Sequence, residues 1–337
     1  MSVPSWVTRQ AAAVLVVLLA AALPAAAWLA RHDSGGRGVT DVSDDPPPAG
    51  GYVQTLPAGS WSRLPDDRTC AKSVSKSLWE PRPDNDGPNH RAPDAGAVRA
   101  ALRARPRVTV GAYDPRWDRW LLPRVTGDHV GTTDQNIQWA ACKWGLADNV
   151  LRAIALRESG WFQYEVYPDG RCVPQHGCGD MVPVADAASR VYCDGLSRAG
   201  HDYQADLGPG ICPRTFSIVG VKAWQDPRWG PMRGNQNGTF PFARDSTAFA
   251  LDYLGAFLRG CDEGWVWWLG NVTEHYTRGH LWGCIGVWYS GDWRSSEALH
   301  YIRLVRRSVA NRPWLAPAWA EQRPPCSAGT GCPRGVR

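Results

Sequence analysis

One stretch of the chain places a carboxylate where it can act as an acid. Leu151, Ile154 and Ala155 recur at helical spacing and predict the buried stripe of a helix. Glu158 follows Leu151 by seven residues, so it falls on the same stripe, in the last turn before the expected stop at Gly160. Burial and the negative end of the helix dipole both disfavour an ionised carboxylate, so we expect the pKa of Glu158 to be raised. A carboxyl group that keeps its proton near neutral pH is what a general acid requires.

The same helix allows a second interpretation. Glutamates in helices are usually solvated, and a rotated register would turn Glu158 outward as a surface charge. Asp148 is the expected N-cap, because its carboxylate can accept from backbone N–H groups of the first turn. The true boundaries and register of this helix therefore decide whether Glu158 is a candidate acid.

Composition restricts the classes of protein. The 337 residues, 44% hydrophobic and 20% charged, suffice for one large domain or two small ones with a full core. The net charge of +5 comes without a Lys/Arg block, which argues against a nucleic-acid-binding arm and suits anionic polymers such as cell-wall glycans. Nineteen tryptophans are mostly core residues in a soluble chain, although sugar-binding clefts also stack aromatic faces on pyranose rings.

The N-terminal 30 residues are typical of an export signal. Arg9 precedes the apolar run from Ala11 to Leu23, and the small residues after it fit cleavage behind Ala27. The run from Ala11 to Ala30 is also long enough to remain as an uncleaved membrane anchor. Both interpretations place the remainder outside the cytoplasm, secreted or at the cell surface, where the ten cysteines are expected to form disulfides.

The chain is predicted to divide into five segments: a signal peptide or anchor (1–30), a flexible linker (31–51), an irregular extension packed on the core (52–131), the main domain (132–312) and a Pro-rich tail (313–337). Cys70 is expected to tie the extension to the main domain. Cys326 and Cys332 are close enough to pair locally. The cysteine spacings in 163–213, a predicted loop, lack the paired short spacings of zinc sites, so no metal is expected.

Apolar residues at helical spacing predict an all-α core. Helices are expected over 95–104, from Thr133 or Asp134 to Gly145, from Asp245 or Ser246 to Gly260, from Glu263 onward, and on a last segment carrying Leu299, Ile302, Val305 and Val309. Trp265, Trp267 and Trp268 are expected in the core. Alternation of the kind that marks strands is missing over any length, so the predicted fold class is α-rich with long disulfide-tied loops and an irregular N-terminal extension.

Three stretches, in order, resemble motifs of the lytic transglycosylase and goose-type lysozyme group. Residues 155–161 are similar to the first motif, a Glu-Ser pair near a helix end with an aromatic residue two positions after the serine. Residues 216–220 are similar to the second, usually Gly-aliphatic-aliphatic-Gln, but Ser217 replaces the Gly and Gly220 replaces the Gln. Residues 288–291 are similar to the third, an aromatic residue followed by small polar residues and Gly, in a shorter form.

The match covers about residues 132–309, and residues 138–145 and 283–288 also resemble exported actinobacterial proteins. The resemblance to the transglycosylase and lysozyme group implies a lysozyme-like fold in which Glu158 is the sole catalytic acid acting on peptidoglycan. It also implies a monomeric chain that uses no cofactor. Five further residues would bind substrate: Ser159, Trp161, Ser217, Trp288 and Tyr289. From the residues alone, core packing of the aromatic rings and local turn bonding of Ser159 remain open alternatives.

In the resembled group one Glu protonates the β-1,4 oxygen between MurNAc and GlcNAc and then takes the proton of the sugar's 6-hydroxyl, giving an anhydro product. If water attacks instead, a second carboxylate is needed across the cleft, and Asp180, Asp202 and Asp206 are the loop candidates. Two other classes of protein remain. One is a non-catalytic wall-binding protein, which the change at Gly220 favours, and the other is a disulfide-rich exported scaffold.

Overall fold

The computed structural model describes residues 43–104, 112–164, 181–198, 202–223, 237–272 and 276–320. Within these ranges the chain is helix-rich, with two small two-stranded antiparallel sheets, so the predicted all-α class is confirmed. The tertiary core is built from the helices, and the short strands lie in the connections between them.

The α-helices are α1 (Asp67–Ser73), α2 (Asp86–Asn89), α3 (Ala95–Ala104), α4 (Leu122–Arg124), α5 (Thr133–Trp144), α6 (Asp148–Ser159), α7 (Ala187–Arg198), α8 (Tyr203–Leu207), α9 (Phe242–Asp245), α10 (Thr247–Asp262), α11 (Leu281–Ser290), α12 (Ser296–Asn311) and α13 (Pro317–Ala320). The strands are β1 (Met181–Pro183), β2 (Ile211–Pro213), β3 (Thr215–Phe216) and β4 (Val221–Lys222), paired β1 with β2 and β3 with β4. Single turns of 3₁₀-helix cover Trp61–Arg63, Pro83–Asn85, Trp267–Asn271 and Pro313–Leu315, and a π-helical turn covers Trp117–Leu121.

Helix α5 begins and ends with strong local signals. The Thr132 side chain accepts from the Gln135 N–H while the Gln135 side chain accepts from the Thr132 N–H, a reciprocal capping box. Gly145 ends the helix in the left-handed conformation. The predicted helix is confirmed, but the expected cap at Thr133 or Asp134 is wrong by one position, because only Thr132 has extended backbone before the first turn.

Helix α6 ends at Gly160 as predicted, but its expected N-cap at Asp148 is wrong. Ala147 occupies the cap position and Asp148 is the first helical residue. The Asp148 carboxylate instead accepts from the Tyr52 N–H at 2.8 Å and from the Arg152 guanidinium at 2.7 Å. The carboxylate also accepts from the Asn149 N–H at 3.1 Å, so from inside the first turn it bonds its own helix as well as the extension.

Buried ion pairs fix the helices around α5. The Lys143 ammonium of α5 lies 2.8 Å from the Asp252 carboxylate of α10. The Arg152 guanidinium of α6 lies 2.7 Å from Asp134 of α5. With α12 packed on α6 and α11, these contacts bring the C-terminal end of α6 next to α12. Removing one partner of such a pair leaves a buried charge, so the arrangement is strongly held.

The extension over residues 52–131 is more regular than expected. Helix α3 has the predicted bounds, but α1, α2 and α4 also lie here, and each buries at least one residue: Cys70 in α1, Pro88 in α2 and Leu122 in α4. The predicted tie through Cys70 is confirmed by its disulfide with Cys142.

The expected linker is not detached over its described part. The Leu78 N–H donates to the Ser43 carbonyl at 2.7 Å, and the Asn149 side chain donates to the Ala49 carbonyl at 3.0 Å. Residues 43–51 are therefore bound along the surface of the domain, which corrects the prediction of a flexible segment there.

Several other expectations need correction. The predicted loop over 163–213 contains α7, α8, β1 and β2. The disulfide Cys193–Cys212 links α7 to β2. Helix α10 continues past Gly260 to Asp262, since Gly260 packs closely on Trp117 in a helical conformation. The helix expected from Glu263 onward is only the 3₁₀ turn at Trp267–Asn271.

The tryptophans and the tail differ from expectation at two places. Trp265 is buried, but Trp267 is 45% exposed and is not a core residue. Trp314 and Trp319 of the predicted tail are buried against the core, so residues 313–320 belong to the folded domain.

Three disulfides confirm the expected use of the cysteines: Cys70–Cys142, Cys193–Cys212 and Cys261–Cys284. Such bonds persist in oxidising surroundings outside the cytosol. The predicted disulfides of Cys172, Cys178, Cys326 and Cys332, and the leader over 1–30, lie outside the described residues. In the part of the chain that the structure covers, none of the helices combines the length and the apolarity needed to cross a bilayer.

Candidate active site

Glu158 lies in the last turn of α6 and is partly buried. Leu151, Ile154 and Ala155 of the same face are fully buried, so the predicted register is confirmed. The left-handed Gly160 closes the helix directly behind Glu158, and its N–H donates to the Leu156 carbonyl at 3.1 Å. The carboxylate is therefore held at a rigid helix end that opens toward the surface.

Tyr301 of α12 is the hydrogen-bond partner of this carboxylate. Its hydroxyl donates to Glu158 Oε1. Burial, followed by the nearby negative charge of Glu158, raises the pKa of Tyr301 well above its ordinary value. The phenol thus keeps its proton and remains a donor to this carboxylate.

Tyr289 supports Tyr301 from α11. The two rings stack in parallel with centroids 4.4 Å apart, and Tyr289 is 52% exposed. The structure thus brings the predicted Tyr289 to the site, one ring removed from Glu158. Tyr301 itself was missed by the sequence analysis. The available signal was an aromatic residue with a polar tip on the apolar stripe of α12, whose buried hydroxyl needs a partner.

A tight turn between β3 and β4 faces the acid. Ser217 and Gly220 both have positive φ, +86° and +63°. A Cβ built on Gly220 would lie 3.0 Å from Glu158 Oε2, so only glycine lets the backbone approach this oxygen without strain. Gly220, one of the two residues that depart from the resembled motif, thus has its backbone next to the carboxylate.

Ser159 and Gln163 hold this turn in place. Ser159 Oγ donates to the Ile218 carbonyl at 2.9 Å. The buried Gln163 side chain accepts from the Ile218 N–H at 3.2 Å and donates to the Ala243 carbonyl at 2.7 Å. Ser159 is therefore a positioning residue for the turn. Gln163 was missed by the sequence analysis, since nothing in its neighbourhood predicts contacts with residues 55 and 80 positions away.

Two predicted substrate-binding residues are structural instead. Trp161 is fully buried, and its ring N–H donates to the Arg152 carbonyl at 2.9 Å. Its ring packs edge-on against Trp319, so it has no surface for a ligand. Ser217 is also buried, and its hydroxyl accepts from the Val219 N–H within the turn. For both residues the prediction of substrate contact is wrong, because their polar atoms bind backbone.

Trp288 lies at a surface cleft beside Glu158. Its ring N–H donates to the Val219 carbonyl at 3.0 Å, which fixes the ring against the turn. The aromatic cleft, as we name it, is lined by Tyr113, Trp117, Tyr253, Phe257, Trp268 and Trp288, and also by Gly220, Lys222 and Asn237. Because Gly220 both lines the cleft and contacts Glu158, the acid and the cleft are adjacent.

Of the three aspartates expected as second carboxylates, only Asp202 has a described side chain. Asp202 caps α8, accepting from the Gln204 and Ala205 N–H groups, so local capping accounts for its position. Asp206 lies in α8, but its side chain is outside the described part, as is the whole of Asp180. Among the described residues, no group of His, Cys, Asp and Glu side chains has the arrangement of a metal site.

Comparison with protein-family models, with curated protein sequences and with solved structures finds no significant match to this chain. The geometry of the site and the residues that form it therefore carry the functional argument.

Proposed function

We propose that the chain is a peptidoglycan-cleaving enzyme of the lytic transglycosylase type, with a lysozyme-like fold and Glu158 as its general acid and base. The observation that carries this proposal is the environment of the Glu158 carboxylate. One oxygen accepts from the Tyr301 hydroxyl, and the other lies against Gly220 at the edge of the aromatic cleft. A carboxyl group oriented by a fixed donor and adjoining a cleft has the geometry that general acid catalysis needs.

The reaction uses the same carboxyl group twice. In the first step the Glu158 proton passes to the β-1,4 oxygen between MurNAc and GlcNAc, the bond from C1 to that oxygen breaks, and the GlcNAc side leaves as an alcohol. The carboxylate then accepts the proton of the 6-hydroxyl while that oxygen bonds to C1. This closes an anhydro ring and restores the acid. Tyr301 stabilises the carboxylate between the two steps.

Features away from the site agree with this substrate. The net charge of +5 favours an anionic wall polymer, and the disulfides favour an oxidising compartment. The proposed location is therefore outside the cytoplasm, either secreted or held at the cell surface by residues 11–30 as a membrane anchor, with a monomer as the acting form. Hydrolysis by water would require one of the aspartates of residues 180–206 as a second carboxylate.

A non-catalytic wall-binding protein is the second candidate. Gly220 supports it, since the resembled motif has a Gln side chain at this position and glycine offers only backbone. Such a protein would keep the cleft and the fold and bind the glycan without cleaving it.

The test is mass spectrometry of purified peptidoglycan incubated with residues 43–337, beside Glu158→Gln. Fragments lighter than hydrolysis products by one water mark the anhydro reaction, and we expect Glu158→Gln to lower their rate by about 10²–10⁴-fold. Glu297→Gln, an equal change at an exposed glutamate of α12, is the matched control and should act like the wild type.

The other outcomes separate the candidates. Ordinary reducing ends that disappear in Glu158→Gln identify a lysozyme. Binding of the polymer without cleavage supports the wall-binding protein, and neither binding nor cleavage contradicts both proposals.

A further inference from the structure

The N-terminal extension supplies part of the aromatic cleft. Tyr113 and Trp117 come from this extension, whereas Phe257 belongs to α10 and Trp288 to α11. The extension was predicted to wrap the core, in preference to forming a separate wall-binding module. Its two rings nevertheless lie in the same cleft as Gly220, the residue against the Glu158 carboxylate.

Backbone hydrogen bonds fix the extension beside the cleft. The Trp268 N–H donates to the Ala112 carbonyl at 3.0 Å, and the Asp114 N–H donates to the Trp265 carbonyl at 2.9 Å. The Asp114 carboxylate forms a paired contact with the Arg116 guanidinium at 2.7 and 2.8 Å. These bonds hold residues 112–116 at a defined distance from the 3₁₀ turn that carries Trp268.

The rings pack against one another in a continuous row, in which Trp117 is buried and Tyr113 is partly exposed. Tyr113 and Trp117 have centroids 4.4 Å apart, Trp117 meets Phe257 edge-on at 6.2 Å, and Phe257 meets Trp288 at 5.4 Å. The row thus runs from the extension across α10 to α11, and Gly220 lines the same cleft. Lys222 and Asn237 also line the cleft, and the Asn237 amide donates to the Lys222 carbonyl at 2.9 Å.

We propose that residues 112–121 of the extension are part of the substrate-binding site, where Tyr113 and Trp268 hold one N-acetylhexosamine ring of a glycan strand next to Glu158. The apolar C–H face of a pyranose packs on aromatic carbon, and its hydroxyl and acetamido groups bind polar side chains. A cleft lined by aromatic rings together with the polar residues Lys222 and Asn237 matches both kinds of group on such a ring. This inference rests on the proposed glycan-cleaving function.

The test is isothermal titration calorimetry of Glu158→Gln, which binds without cleaving, with a β-1,4-linked N-acetylglucosamine hexamer. In that background Trp268→Ala and Tyr113→Ala should each weaken binding by about tenfold, which corresponds to about 1.4 kcal/mol. Trp267→Ala is the matched control, because Trp267 is the adjacent tryptophan and points to solvent with 45% of its surface exposed. It should leave the affinity within about twofold of the parent, since surface changes away from such contacts have little effect.

Ring-preserving variants separate a lost contact from a lost fold. Trp268→Phe keeps an aromatic face and should recover part of the affinity, and thermal unfolding of each variant reports its stability. If Trp268→Ala does not fold, Tyr113→Ala and Tyr113→Phe carry the same comparison from the other wall of the cleft.

The outcomes distinguish this inference from the proposed function. If the Glu158→Gln parent binds the hexamer and neither Tyr113→Ala nor Trp268→Ala weakens it, the extension is not part of the site, while the proposed function stands. If Trp267→Ala weakens binding as much as Trp268→Ala, the sugar lies outside the cleft and the inference is overturned. If the parent itself does not bind, the subsite is refuted, and cleavage of peptidoglycan by the wild type decides the proposed function separately.

Discussion

Glu158 lies in the last turn of α6, where the helix dipole is negative, so its ionised form needs a donor from elsewhere. Tyr301 supplies that donor from α12, and the stacked Tyr289 ring holds Tyr301 in place. Glu158 could be singled out from the sequence, because a carboxylate on the apolar stripe of a helix is unusual and visible in a short segment. Tyr301 was not, because its partner is 143 residues away and only the tertiary fold brings the two together.

Tyr301→Phe tests this pair. The substitution keeps the ring stack on Tyr289 but removes the hydroxyl that favours the carboxylate. Glu158 should therefore stay protonated to higher pH, so the alkaline side of the pH–rate profile moves upward while kcat falls by about 10-fold or more, the loss of a hydrogen bond to a charged group.

Tyr289→Phe is the control, since it removes a hydroxyl from the neighbouring ring without changing the donor to Glu158. Its pH–rate profile should follow that of the wild type. A Tyr301→Phe profile that keeps its alkaline limb in place would show that the hydroxyl does not control the acid.

At the scale of elements, long helices with clear ends were predictable. Helices α3, α5 and α12 follow from apolar periodicity, and Gly145 and Gly160 mark ends that the structure confirms. The helices α7 and α8 were not recognised, because cysteines and loop-forming residues obscure their hydrophobic periodicity. A disulfide also holds this region in place. The turn opposite Glu158 was visible only as a motif, since Gln163 fixes it from a distant part of the chain.

Gly220→Ala tests that turn. The left-handed backbone at φ +63° makes alanine cost about 1 kcal/mol of stability, as at any such site. The added Cβ also lies 3.0 Å from Glu158 Oε2, so the carboxylate must shift and the cleavage rate should fall by at least about tenfold, as small displacements of catalytic groups do.

Gly279→Ala provides the comparison, because Gly279 has φ +86° but open space around its Cβ position. Urea unfolding should show similar losses of stability for both variants. Equal cleavage rates for the two would mean that the close approach at Gly220 has no part in catalysis.

For the whole molecule, the sequence predicted the class of fold but not how closely the extension joins it. Glu80 of the extension accepts from the Thr133 N–H at 2.6 Å, at the start of α5, and from the Arg82 N–H at 2.8 Å. Burial raises the pKa of Glu80 to about 7. No local pattern predicts this, since a glutamate beside prolines in an irregular stretch is normally solvated.

Because the pKa of Glu80 is raised in the folded chain, the stability of the fold should decrease as the pH rises. The unfolded chain ionises Glu80 near its ordinary value of 4.5, so its contribution is fully present below that pH and is lost as the pH rises through about 7. Glu80→Gln should remove this dependence, so the fall in unfolding free energy between pH 5 and pH 8 should shrink by about 2–3 kcal/mol.

Urea unfolding at the two pH values measures this difference. The exposed Glu297→Gln serves as reference and should keep the wild-type dependence. An unchanged slope in Glu80→Gln would assign the pH dependence to another group.

The dipeptide Glu158–Ser159 has a mechanical consequence. Glu158 faces Gly220 while Ser159 binds the Ile218 carbonyl of the same turn, so consecutive residues of α6 carry the acid and hold its opposite wall. Thermal displacement of the helix end moves both together, and the spacing between carboxylate and turn stays constant during such motion.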